Sequence, residues 1–228
     1  MIFRQFFDTE SSTYTYLLAD PKTREAILVD PVLEKAERDL KALEELGFQL
    51  RYILETHVHA DHITGASVLR QKTGAKVALS VHSGVQCADQ LLKEGDKVRV
   101  GSIEVRVLET PGHTDSCLSY VAGDRVFTGD ALFIRSNGRT DFQQGSSEKL
   151  YKSITEKLYS LPDATLVFPA HDYQGIDCST IGEEKRFNKR IPVGQPLEKF
   201  VQIMRDLKLA DPKKIHVAVP ANLKCGAI

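Results

Sequence analysis

The chain has 228 residues, 42% hydrophobic and 27% charged, and its 30 basic and 31 acidic side chains leave a formal net charge of -1. That balance suits a folded protein with a sizeable core, and it excludes a disordered chain, a nucleic-acid groove built on excess positive charge, or a basic membrane-surface patch. No apolar run approaches the roughly 20 residues of a spanning helix, and MIFRQFFDTESS has neither a signal-peptide core nor transit-peptide composition, so a cytoplasmic protein is expected.

The first third reads as strand, strand, strand, helix, strand. STYTYLLAD alternates and is rich in β-formers, and EAILVD is a short apolar run closed by Pro31. In LEKAERDLKALEELG, Ala36, Leu40, Leu43 and Leu46 fall at helical spacing, with Gly47 as the stop. LRYILET is a buried strand, and DHITGASVLRQKTG is helical, with Ile63, Ala66 and Leu69 as its apolar stripe. Strands follow at AKVALS, DKVRV, SIEVRVLET, CLSYVAG and DRVFTGD, then a helix over SSEKLYKSITEKLYSL and a buried strand in ATLVFPAHD. The remainder is mainly helical, in EEKRFNKRI and PLEKFVQIMRDLKL. The pattern is α/β with hairpins, which argues against an all-parallel sheet. With no linker or repeat, residues 1–228 read as a single domain with a short helical C-terminal extension over about 180–228. Cys87, Cys117, Cys178 and Cys225 form no CxxC pair and read as reduced thiols, Cys117 as a small core residue.

The stretch ETHVHADHITGA puts His57, His59, Asp61 and His62 directly after a strand. Three more candidate ligands also follow strands: His113 in PGHTDS, Asp130 in TGDALF and His171 in PAHDY. A lone histidine is more often a satisfied polar residue than a ligand. Four strand-end segments carrying imidazoles and carboxylates point instead to a divalent metal such as zinc, iron or manganese. Seven groups suffice for two ions. His57, His59 and His113 would hold one, Asp61, His62 and His171 the other, with Asp130 between, an arrangement that activates water for ester or thioester hydrolysis.

THVHADH, PGHTDS, TGDALF and PAHDY resemble the metallo-β-lactamase superfamily, whose hallmark is HxHxDH with three downstream ligands. That resemblance implies an αββα sandwich of two mixed β-sheets flanked by helices. ALFIRSNGRTDFQQG, FRQFFDTESSTYTYLLAD and AVPANLKCG extend the similarity, from one end of the chain to the other, to the persulfide dioxygenase (sulfur dioxygenase) family. It implies one Fe(2+) per chain held by His57, His113 and Asp130, with His59, Asp61, His62 and His171 orienting ligands and iron-bound waters. The implied reaction takes glutathione persulfide, O2 and water to sulfite and glutathione. A homodimer and a separate sulfurtransferase (rhodanese) partner are further implications of the resemblance. The main rival is a zinc-dependent thioesterase of glyoxalase II type, although that family's glutathione-gripping helical domain is missing from the pattern after His171. A non-catalytic metal-binding or redox-sensing module is a rival of another class.

Glutathione's carboxylates call for a cation. Arg139 in NGRTDF is a candidate, a salt bridge to Asp141 being the alternative, and Arg135 is a weaker one. Tyr173 offers a phenol to the substrate or else packs in the core, and Asp172 braces its loop. Relatives often carry cysteine where Asn137 stands here, so a thiol at that position is not essential to this chain's chemistry. The role of Cys225 stays open between redox modification and packing.

Overall fold

A computed structural model describes residues 1–227. Its first sheet runs in the order β1 (Ile2–Asp8), β2 (Thr13–Asp20), β3 (Glu25–Val29), β4 (Gln49–Leu54), β5 (Lys76–Ser80) and β6 (Gln90–Leu92). The second runs from β7 (Lys97–Val100) through β8 (Ile103–Glu109), β9 (Leu118–Ala122), β10 (Arg125–Gly129) and β11 (Leu166–Pro169) to β12 (Ser179–Thr180). Both sheets are mixed: the hairpins pair antiparallel, whereas β3–β4–β5–β6 and β10–β11 pair parallel.

The period-two pattern explains why the sheets stack. In β2 every residue is buried, because successive side chains enter different layers. Tyr14, Tyr16 and Leu18 meet Val105, Tyr120, Phe127 and Phe168 of the second sheet in the central core. Leu17 and Ala19 point the other way, packing with Leu43 of α1 (Ala36–Leu46) and Leu69 of α2 (Ala66–Thr73). Over the outer face of the second sheet lie α3 (Ser147–Lys152), which continues as a π-helical turn to Leu158, then α4 (Ile181–Phe187) and α5 (Leu197–Asp206). Leu150, Ile154, Leu158, Ile181, Phe200 and Met204 form that third core. The layers are helix, sheet, sheet, helix, as the resemblance implies. The last element, α6 (Ile215–Asn222), contains Pro220. Among the described residues no helix is long and apolar enough to cross a membrane.

Two expectations fail for physical reasons. The helix expected from Asp61 begins only at Ala66, because residues 57–65 are held as a loop by bonds to their neighbours. The cysteines are not all free: Cys87 and Cys225 are joined, their Cα atoms 6.0 Å apart across 138 positions of sequence. No local spacing signals that pair; it arises when the turn after α6 docks against the loop between β5 and β6. Cys117 is buried and unpaired, and Cys178 is exposed and unpaired.

Two buried phenols fasten the sheets together at the edge where the histidines gather. Tyr120 of the second sheet donates to Glu55 O at 2.7 Å, and Tyr16 of the first donates to Pro169 O at 2.6 Å. Replacing Tyr120 by Phe strands a buried carbonyl beside the histidine loop, a loss of about 1–3 kcal/mol. Chemical denaturation of Tyr120→Phe should show a lower midpoint at an unchanged m-value.

Candidate metal centre

Strand ends from both sheets meet at one edge. β4 leads into the loop with His57, His59, Asp61 and His62; β8 leads to His113, β10 to Asp130 and β11 to His171. At Gly129 the chain turns with φ 53, and a Cβ there would lie 2.7 Å from Thr56, so only glycine lets Asp130 approach the histidine loop.

The structure brings all seven predicted groups together at this edge, six of them in two tight clusters and His171 beside both, its Nε2 3.6 Å from Asp61 Oδ1 and 3.5 Å from Asp130 Oδ1. The potential ligand atoms of His57, His113 and Asp130 lie within 4.8 Å of one another, as do those of His59, Asp61 and His62. A third cluster of the same tightness, Asp30, Glu55 and His59, contains two carboxyls not singled out from sequence. Buried Asp130 Oδ1, His62 Nε2 and both nitrogens of His59 have no hydrogen-bond partner among the described residues. Orphaned polar atoms of this kind cost free energy unless a cation or water completes them. The donor set is imidazole and carboxylate, which suits a divalent metal.

Three of the imidazoles, His57, His113 and His62, are aimed by a second nitrogen. Thr56 Oγ1 donates to Asp30 Oδ2 at 2.8 Å, so it accepts from His57 Nδ1 at 3.0 Å and leaves His57 Nε2 free for a metal. His113 Nδ1 donates to Arg139 O at 2.7 Å, and its Nε2 sits 3.5 Å from Asp130 Oδ2. His62 Nδ1 donates to Asp61 Oδ2 at 2.9 Å. Burial, reinforced by neighbouring His59, holds His57 well below the usual histidine range, so it is neutral and can offer a lone pair. His59 is likewise held low, by burial and then by His62. Burial alone would raise the Asp61 carboxyl, but His171 and His62 outweigh it and hold Asp61 well below the carboxylate range. Burial would lower His171, yet Asp130 and Asp61, with oxygens at 3.5 and 3.6 Å, push it up to about 10. In the metal-free protein, therefore, the His171 imidazolium supplies part of the positive charge that a cation would bring.

Behind the histidines, Asp30 and Glu55 are buried acids. Burial raises Asp30 to about 6 against its bonds from Thr56, and burial together with Asp30 raises Glu55 well above its ordinary value. Asp30 sits at φ 50, a strained position for a non-glycine residue, held by its bond from Thr56 N at 2.7 Å. From α6, Asn222 donates to His59 O and His62 O at 2.9 and 2.8 Å and accepts from Thr64 N at 2.9 Å.

A cavity of about 490 Å³ opens onto this edge, within the span typical of small-molecule sites. Asp61, His113, Asp130 and His171 line its floor, with Tyr173, Arg139 and Arg190 among the wall residues. Arg139 makes the salt bridge weighed from sequence, Nε and Nη2 meeting Asp141 at 2.7 and 2.8 Å, and its Nη1 donates to Ala210 O at 2.7 Å. Arg135 does not line the cavity and is bound to Glu183 and to the fully buried Glu184. Tyr173 is 71% exposed at the cavity mouth and does not pack in the core. Asp172 braces its own loop, accepting from the backbone of Gln174, Gly175 and Ile176. Arg190 was missed from sequence. Its guanidinium lines the cavity, donates to Asn137 O at 2.7 Å and has no carboxylate partner among the described residues. Glu184 anchors both arginine-bearing segments, accepting from Arg135 N at 2.8 Å and from Asn188 Nδ2 at 2.9 Å, while Asn188 Oδ1 accepts from Arg190 N at 3.1 Å.

The model of the metallo-beta-lactamase superfamily matches residues 8–171. The chain is 48% identical to the mitochondrial persulfide dioxygenase ETHE1 of Mus musculus, over 99% of this chain and 89% of that protein. The crystal structure of ETHE1 from Myxococcus xanthus superposes with a TM-score of 0.97 at 55% identity, covering 100% of both chains. A metallo-beta-lactamase from Staphylococcus aureus superposes at 0.91 with 28% identity, over 99% of this chain and 72% of that one.

The His171 proton predicts a pH dependence. Its folded value of about 10 exceeds the unfolded 6.5, so its contribution is fully present below pH 6.5 and is lost as pH rises toward 10. Within that window the unfolded state binds one proton fewer, which lowers the unfolding free energy by at most about 1.4 kcal/mol per pH unit. Metal-free wild type should show this slope in denaturant titrations, and metal-free His171→Gln should lack that component.

Proposed function

The chain belongs to the metallo-beta-lactamase superfamily and, within it, to the persulfide dioxygenases, and from that premise we propose that it oxidises glutathione persulfide at one ferrous ion held by His57, His113 and Asp130. In the overall reaction the persulfide, O2 and water give glutathione, sulfite and two protons. One observation carries the choice of ligands. Two members of the His57–His113–Asp130 cluster line the cavity, against one of His59–Asp61–His62 and none of Asp30–Glu55–His59. When bound, iron supplies adjacent open positions and a redox change that zinc lacks.

The protein's own part is orientation and charge. The hydrogen bonds to Thr56 and Arg139 O fix the rings of His57 and His113 and raise their donor strength. His59, Asp61, His62 and His171 surround that set, with His171 Nε2 3.6 Å from Asp61 Oδ1 beside the cavity floor. The substrate's carboxylates go to Arg190, whose guanidinium is free of acids, in the cavity that Tyr173 also lines. Arg139, first considered for that role, would have to abandon Asp141, and we assign it to holding the wall at Ala210. A cytoplasmic setting, a homodimer and a separate sulfurtransferase supplying the persulfide belong to the same proposal and rest on the sequence.

Two measurements test it. Purified protein should consume oxygen with glutathione persulfide and leave lactoylglutathione intact; hydrolysis without oxygen uptake would instead identify a thioesterase. Arg190→Met should raise the KM for glutathione persulfide about 10- to 100-fold, the worth of a charge-assisted carboxylate contact, with kcat within a few-fold. An unchanged KM would remove Arg190 from the substrate site.

A further inference from the structure

The Cys87–Cys225 bond closes over the back of the histidine loop. Cys225 is 1% exposed and lines a small cavity shared with Glu55, His57, His59 and Thr64. Its turn is tightly seated: Cys225 and Gly226 have φ 57 and 77, and a Cβ at Gly226 would overlap Thr64 O. Immediately before it, Asn222 spends its whole amide on His59 O, His62 O and Thr64 N. Beyond these, Lys214 at the start of the helix is ion-paired with Glu10 and Glu34, and Ala218 and Val219 pack inward. The helix is eight residues long, is interrupted by Pro220, and leaves Val217 62% exposed; a helix that short has little stability of its own. The Asn222 amide ties it to the histidine loop, and the disulfide ties it to the loop between β5 and β6.

We propose that Cys87–Cys225 is an exchange site for a low-molecular-weight thiol, and that opening it loosens the His57–His62 loop. Access selects the sulfur attacked. Cys87 is half-buried on the loop after β5, its Sγ 3.7 Å from Leu223 O, whereas Cys225 is sealed. A thiolate attacks Cys87 Sγ, the S–S bond breaks, and Cys225 leaves as a thiolate that takes up a proton. A second thiol attacks the mixed disulfide, freeing Cys87 as a thiol. The balance is two small thiols oxidised to one small disulfide and one protein disulfide reduced to two thiols. Glutathione, the thiol product of the proposed reaction, is of the right class. The inference itself does not depend on that reaction, because its readouts are structural.

The test uses the metal-loaded protein prepared without reductant. Alkylation after denaturation should label two cysteines, Cys117 and Cys178, and four after incubation with glutathione, read by intact mass. Reduction should accelerate amide exchange in residues 55–64 and 215–227, and the release of metal to a chelator, by several-fold. Cys87→Ser should match reduced wild type in both readouts and ignore added glutathione. Four labelled cysteines before reduction would overturn the proposal. So would unchanged exchange and metal release on reduction, or a Cys87→Ser protein that still responds to glutathione.

Discussion

Mutual compensation among buried ionisable groups is the constraint on which this molecule depends. Imidazoles and carboxylates that would each be costly to bury alone are packed where the strand ends of two sheets converge. Asp30 is the hinge of the arrangement. It holds Thr56, through Thr56 orients His57, and lies 3.2 Å from His59 Nε2. Because the first sheet presents the histidine loop while the second presents His113, Asp130 and His171, the site exists only while the sheets stay stacked. The same apolar core and the phenols of Tyr16 and Tyr120 thus serve stability and chemistry together.

The cavity wall repeats this economy on the substrate side. Two arginines line it, with different fates: Arg139 is absorbed by Asp141 and a backbone carbonyl, and Arg190 keeps its charge uncompensated. Buried Glu184 ties down the Arg190 segment through Asn188, so the free guanidinium is delivered by a rigid support. Asn137 gives its backbone oxygen to Arg190 and its amide nitrogen to Gly138 O. In this chain that position is an architectural one, needing no thiol.

Much of the fold and the inner site is legible in sequence because the signals are local. THVHADH, PGHTDS, TGDALF and PAHDY each carry their ligand directly after a β-pattern, and strand ends on one edge must converge. The supporting layer is not legible in that way. Asp30, Glu55, Asn222 and Arg190 look like ordinary strand-end or surface residues until the fold places them. Arg139 and Arg190 are indistinguishable as charges, and only the position of Asp141 separates their roles. The periodicity of Ile63, Ala66 and Leu69 predicts a helix through residues that Glu55 and Asn222, both bonded to Thr64, pull into a loop. The Cys87–Cys225 pair lay hidden in its sequence separation.

The central claim is that one redox-active ion, on the His57, His113 and Asp130 face, makes this centre an oxygenase. Stepwise anaerobic titration of metal-free protein with ferrous iron or zinc, followed by oxygen-uptake assays with glutathione persulfide, tests it most directly. The account predicts that uptake rises with iron and levels off at one equivalent per chain, with zinc inert. Uptake that required two equivalents, or that zinc supported equally well, would contradict it.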